Sequence, residues 1–200
     1  MNNTAHTKQT AGTPVLLSTN SFVLSSLGAS HVTPELLAWF NRKELLDGLN
    51  LPIKQFTLES LRSMLATFDN INHFLIGIYS PTNQLLGFYA IDINHLHKTG
   101  NITAGIGANT GYTGRKIFWS TIDALLGYFF QQKGLDKMIA RVLANNIRML
   151  SCLIGSPDFA LEACLHKECI GVDGKRVDLL IFSAFKDPKD FQIVKDRQPK

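Results

Sequence analysis

The chain is poor in cysteine, has no long apolar run and carries no block of basic residues. Its three cysteines, Cys152, Cys164 and Cys169, are odd in number and fit no zinc spacing. They read as reduced thiols rather than a disulfide framework, which points to a reducing compartment. No apolar stretch approaches the roughly 18 uninterrupted residues that a membrane-spanning helix needs. The polar residues 1–14 contain no apolar run of the secretory kind, so a cytoplasmic location without membrane attachment is expected. The net charge of +4 is spread along the chain, which suits a polyanionic small molecule better than a nucleic-acid track. Also missing are the Gly-Lys-Ser/Thr ending of a Walker loop and the three glycines of a dinucleotide fingerprint.

What is present is a hydrophobic share of 45% in 200 residues, with 18% charged, enough for one domain with a sizeable core. Residues 1–14 are Asn/Thr-rich and read as a mobile tail, residues 15–185 as the single domain, and residues 186–200 as a peripheral tail of alternating charge and proline. Seven strands are expected, at residues 21–27, 74–79, 85–93, 101–108, 137–143, 159–166 and 176–184, from β-branched and aromatic runs bounded by turn signals. Thr33-Pro34-Glu35 supplies a cap, a first-turn proline and an acidic first turn for a helix running to about Asp47. A second helix starts at Thr57, residues 116–132 form a strongly apolar third closed by Gly134, and residues 145–153 a fourth. The fold class is α+β.

The stretch from Gly107 to Trp119 carries the chemistry. A strand bearing Gly105 and Gly107 leads into Asn109-Thr110-Gly111-Tyr112-Thr113-Gly114, then Arg115-Lys116 and a helix. Free N–H groups at a helix start, the helix dipole and close-approach glycines make an anion site. Arg115 and Lys116 reinforce it. A glycine loop before a helix is also a common turn, so this feature by itself leaves the ligand open.

From about residue 21 to 184 the sequence resembles the GNAT superfamily, in the branch that includes ribosomal-protein N-terminal acetyltransferases. Tyr112-Thr113-Gly114-Arg115-Lys116 is similar to that branch's Tyr-Arg-Gly-Lys-Gly loop. Further matches are Leu126-Gly127-Tyr128-Phe129-Phe130 with Lys133-Gly134-Leu135, Val142-Leu143-Ala144-Asn145, and Phe159-Ala160-Leu161-Glu162-Ala163 followed by residues 173–178. The resemblance implies a central, mostly antiparallel twisted sheet with a V-shaped splay between its fourth and fifth strands. It implies acetyl-coenzyme A as co-substrate and no metal, with the pyrophosphate on residues Tyr112, Thr113, Gly114, Arg115, Lys116 and Ile117. Gly107 and Ala108 would face the pantetheine arm and the thioester carbonyl, and Asn145 would contact the arm. Three departures stand out: Lys116 replaces a loop glycine, Arg148 a serine, and Ser156-Pro157-Asp158 separates Gly155 from Phe159.

Acyl transfer from a thioester to an amine needs an unprotonated amine, a polarised carbonyl and a proton for the leaving thiolate. Glu162 matches the branch's glutamate and is the expected base. On the helix after Asn145, Ser151 is the expected acid, with Cys152 beside it. Tyr89, Phe88 and Trp39 serve either an acceptor pocket or the core. His95 and His97 flank Leu96 with no further metal ligands nearby, and a surface or substrate-loop role is expected for them. The expected activity is acetylation of a primary amine, on a small molecule or a protein N-terminus, by a monomer or homodimer. A catalytically diverged coenzyme A-binding or protein-interaction module on the same scaffold is the alternative, as is an unrelated α+β interaction domain.

Overall fold

The computed structural model describes residues 11–50, 55–107 and 111–196. Its strands are β1 (Leu16–Ser18), β2 (Val23–Ser26), β3 (His73–Tyr79), β4 (Leu85–Asn94), β5 (Thr99–Ile106), β6 (Lys137–Leu143), β7 (Ala160–Ile170) and β8 (Arg176–Phe185). The helices are α1 (Pro34–Phe40), α2 (Lys43–Gly48), α3 (Leu58–Leu65), α4 (Gly114–Gly127), α5 (Ile147–Leu153) and α6 (Pro188–Asp196). One eight-stranded sheet has the order β1-β2-β3-β4-β5-β6-β8-β7. Every neighbouring pair is antiparallel except β5–β6.

The period of two along a strand divides the core between the two faces of this sheet. Phe74, Ile76 and Ile78 of β3 and Tyr89 and Ile91 of β4 join Ile117, Phe118, Ile122 and Leu125 of α4 in the larger cluster. Leu75 and Phe88 join Leu36, Trp39, Phe40, Leu61 and Leu65 in the smaller one. Covering on both sides is why these strands read as unbroken apolar runs rather than as alternating ones. The buried hydroxyl of Tyr89 lies 2.8 Å from that of Thr121, whose own hydroxyl donates back to Ile117 O at 2.7 Å. Both polar groups are thereby satisfied within the core.

The structure departs from the expected elements in four places. The strand β1 is additional: three residues too short to carry a pattern, pairing with β2 through Leu16↔Ser25 to Ser18↔Val23. The first expected helix is two, because the Asn41 side chain accepts from Phe56 N at 2.8 Å and donates to Phe56 O at 3.0 Å. This fixes a distant segment against the end of α1. The α4 helix passes into a π-helical turn at Tyr128–Gln132 before the positive-φ Gly134 stops it. Residues 188–196 form α6, against β7 and β8. At the other end, Gly12 N–H donates to Asp69 O at 2.7 Å, so the described part of the N-terminal segment is attached there.

One feature of the sheet positions the site. Strands β5 and β6 are in register only from Thr99↔Lys137 to Ile102↔Ala140. Beyond that β6 stays with β8 as far as Leu143↔Leu179, while β5 stays with β4 as far as Gly87↔Ile106. The sheet opens into a V there. With β1 counted, the splay falls between the fifth and sixth strands.

Candidate active site

Because β5 is antiparallel to β4, its residues alternate between turning their N–H and C=O toward β4 and away from it. Gly107 N–H donates to Leu86 O at 2.8 Å, which assigns the odd-numbered residues to the β4 side. The N–H and C=O of Ala104 and Ile106 therefore point across the V, to the side from which β6 has diverged. Such an edge is a template for pairing with an extended chain.

Two adjoining cavities, of about 400 and 130 Å³, lie along this edge and share Gly48, Leu49, Ala104, Asn146 and Met149. The smaller enters between the strands, lined by Ile102, Thr103, Arg141 and Val142. The larger reaches the start of α4, lined by Tyr112, Thr113, Gly114 and Arg115. Glu44, Leu45, Gly48 and Leu49, spaced one turn apart, present one face of α2 to it. From α5 come Arg148, Met149, Ser151 and Cys152.

The glycines of β5 have a packing cause. A Cβ at Gly105 would sit 2.8 Å from Leu45 Cδ1 and 2.7 Å from Phe88 Cε1. One at Gly107 would sit 2.8 Å from Trp39 Nε1 and 3.2 Å from Leu86 O. The α1–α2 layer thus lies directly on the strand, and the indole occupies the room a side chain at 107 would need. The buried N–H of that indole has no hydrogen-bond partner among the described residues.

At the start of α4, Thr113 is the N-cap, its hydroxyl accepting from Lys116 N at 3.2 Å. Ile117 N donates to Thr113 O at 3.1 Å, and its side chain is fully buried in the core. Two of the expected phosphate-binding amides, those of Lys116 and Ile117, are therefore committed within the helix. The amides of Gly114 and Arg115 remain without a partner among the described residues. The Arg115 guanidinium lies 4.0 Å over the Trp119 ring, and Lys116 Nζ lies 5.6 Å over the Tyr112 ring. No acidic residue occupies the first turn, so the helix dipole and both cations act in the same sense.

Several expected residues are placed differently. Ala108 lies outside the described residues. Gly107 lines the cleft, but its amide is taken by Leu86, so the open backbone groups are those of Ala104 and Ile106. Asn145 is exposed and lines neither cavity, whereas Asn146 does. The Asn146 side chain accepts from Met149 N at 3.1 Å as the α5 cap and donates to Gly48 O at 2.9 Å, joining α5 to the end of α2. Ser151 lines the larger cavity, its hydroxyl donating to Arg148 O at 2.7 Å. Beside it burial raises the Cys152 thiol above its ordinary pKa, against smaller lowering effects from Ser151 and Arg115.

Glu162 stands apart. It sits at a bulge between Leu161 and Ala163 of β7, where its carboxylate accepts from Ser183 Oγ and pairs with Lys137 Nζ at 2.7 Å. Lys137 is the first residue of β6, opposite Thr99 at the closed end of the V. Glu162 lines neither cavity. Phe88 and Tyr89 are buried in the core, and His95 and His97 are exposed in the turn after β4. Elsewhere, ligand atoms of Cys164, His166 and Asp178 lie within 4.8 Å of one another on the β7–β8 hairpin. These residues come together through strand pairing, which residue spacing does not reveal.

No protein-family model matches the chain, and no curated protein matches it in sequence. Solved structures do. A ribosomal L7/L12 alpha-N-protein acetyltransferase in complex with coenzyme A has a TM-score of 0.74 at 16% identity, covering 86% of this chain and 98% of that one. The fold is that of the GNAT acetyltransferases. Spermidine N-acetyltransferase from Vibrio cholerae, in complex with coenzyme A and spermine, has a TM-score of 0.70 at 16% identity over 82% of this chain and 95% of that one. Ribosomal-protein-S5-alanine acetyltransferase from Vibrio fischeri gives 0.70 at 16% identity over 86% and 97%. Among the described residues, no helix of this GNAT fold is long and apolar enough to cross a membrane.

Proposed function

We propose that the chain is a cytoplasmic, acetyl-coenzyme A-dependent N-acetyltransferase that acts on a primary amine, by direct attack and without a metal. The observation that carries this reading is the open edge of Ala104 and Ile106, which runs beside a cleft ending at the start of α4. A pantetheine arm has amide groups at strand-like spacing and pairs with such an edge as an added strand would. Its pyrophosphate then meets the amides of Gly114 and Arg115, with the Arg115 and Lys116 side chains adding positive charge. The structures similar in fold include two that contain coenzyme A, which supports the reading.

Acetyl-coenzyme A supplies an activated acyl carbon and a thiolate leaving group. The chain's own residues hold and orient it: Met149 and Leu49 flank the arm, and Asn146 holds α2 and α5 at a fixed width. Ser151 lines the cleft and returns a proton to sulfur once its hydroxyl turns from Arg148 O, and Glu162 acts as a structural partner of Lys137 rather than as the base. The acceptor is a small-molecule amine or a protein N-terminus, since spermidine and ribosomal-protein acetyltransferases share the fold.

The presence of Arg148 in the cleft favours a second reading, a coenzyme A-binding module that no longer transfers. Thermal unfolding with and without acetyl-coenzyme A tests what the two share. A ligand at a hundred times its Kd adds about 2.7 kcal/mol to stability, and an unchanged Tm contradicts both. Thiol release on adding primary amines separates them, because only the enzyme consumes the thioester.

A further inference from the structure

The cleft contains a carboxylate, and it is not the one to which the sequence points. Among the described residues lining the two cavities, Glu44 is the only acidic one. It enters from the first turn of α2, one residue before Leu45, whose side chain reaches the strand at Gly105. Its carboxylate has no hydrogen-bond or ion-pair partner among the described residues. Its helix neighbour Lys43 is instead paired with Asp47. The other titratable groups lining the larger cavity are Tyr112 and Arg115 from the α4 end and Arg148 and Cys152 from α5. The lining of the larger cavity therefore holds one carboxylate and two guanidinium groups.

We infer that Glu44 receives the acceptor amine, binding it as an ammonium and taking its proton. This rests on the acyltransferase reading and supplies its missing base. A primary amine arrives as R–NH₃⁺ and cannot attack until it loses a proton. A carboxylate within reach both concentrates the cation and accepts that proton. The freed nitrogen forms the N–C bond to the acyl carbon, and the C–S bond breaks with its electron pair going to sulfur. The nitrogen's second proton ends on sulfur, while Glu44 passes the first to solvent. Arg115 and Arg148 would repel an ammonium elsewhere in the cleft, so they direct it toward Glu44. Glu162, already bonded to Lys137 and Ser183, has no such role.

The test compares Glu44→Gln with Glu162→Gln, using spermidine and a short peptide with a free N-terminus as acceptors. Thiol release is followed at a fixed pH, and coenzyme A affinity is measured by calorimetry. Glu44→Gln should lower kcat/KM for the amine by roughly a hundredfold, the usual scale of general base catalysis, with coenzyme A affinity unchanged. Glu44→Asp should recover part of the loss. Wild-type kcat/KM in Glu44→Gln would overturn the inference, as would its loss in Glu162→Gln alone. If the wild type binds coenzyme A but acetylates neither acceptor, the acyltransferase reading falls, and this inference with it.

Discussion

The two ends of the β5–β6 seam are built from the same strands yet do opposite things. At the closed end, Thr99 to Ile102 pair with Lys137 to Ala140, backbone groups are used up, and Glu162 and Lys137 satisfy each other's charge. At the open end, Ala104 and Ile106 face a cleft that Glu44 also lines, its carboxylate without a partner among the described residues. Stability is concentrated where every polar group has a partner, and binding capacity where some do not. On the inference drawn for Glu44, the position of a glutamate along the seam, rather than its presence in a motif, decides which purpose it serves.

The contrast can be broken at the open end first. Ala104 lines both cavities, so Ala104→Phe should fill the V and weaken coenzyme A binding at least about a hundredfold, equivalent to about 2.8 kcal/mol. Circular dichroism should report an unchanged fold, and calorimetry the lost affinity. A gentler cut is Gly114→Pro. Gly114 is the first helical residue, where proline is accepted, and a Cβ there would meet only Ile106 Cγ2 at 3.6 Å. The substitution removes one N–H, so coenzyme A should bind about tenfold more weakly, the scale of one hydrogen bond to a charged group.

The closed end should respond in the reverse sense. Glu162→Gln should leave turnover within about threefold while lowering stability by roughly 1 kcal/mol, since the pair is about three-quarters buried, at 26% and 23% side-chain exposure. Chemical denaturation and steady-state kinetics on one preparation would check both halves. A control lies outside the seam altogether. Burial raises the Asp158 pKa to about 6, and the neighbouring Asp123 carboxyl adds to the shift. A raised folded-state pKa means stability is full below the unfolded value near 4 and lost as pH climbs through 6. Asp158→Asn should therefore raise stability at pH 8, by roughly 1 kcal/mol after solvent screening, and change it little at pH 4. Melting curves at the two pH values would show this, with coenzyme A affinity unaffected.

Much of the fold was legible because local signals agreed with it. The Thr33-Pro34 and Thr57 caps, the apolar run of α4 closed by Gly134, and the Ser80 to Asn83 turn between β3 and β4 all lie where their chemistry indicates. The placement of residues 111 to 113 before a helix was readable for the same reason. What escaped was set by pairs distant in sequence. Which backbone groups of β5 stay open depends on its register with β4, which moved the edge from Gly107 to Ala104 and Ile106. Motif matching singled out Glu162, whose pairing with Lys137 across the sheet holds it at the closed end of the seam. Glu44 had no motif to announce it, since α2 is a short helix brought to the cleft by Leu45 against Gly105 and by Asn146 against Gly48. Asn146 rather than Asn145 lines the cleft because the α5 cap falls one residue later.

Amide hydrogen exchange with and without coenzyme A tests the central claim most directly, since it reads the seam residue by residue. If the open edge holds the arm, saturating coenzyme A slows exchange in the segment from Thr103 to Gly107 and in that from Gly111 to Arg115. The pairs from Thr99 to Ile102 stay as they were. Equal exchange in both segments at a coenzyme A concentration far above micromolar, or protection confined to the closed end, would contradict the account.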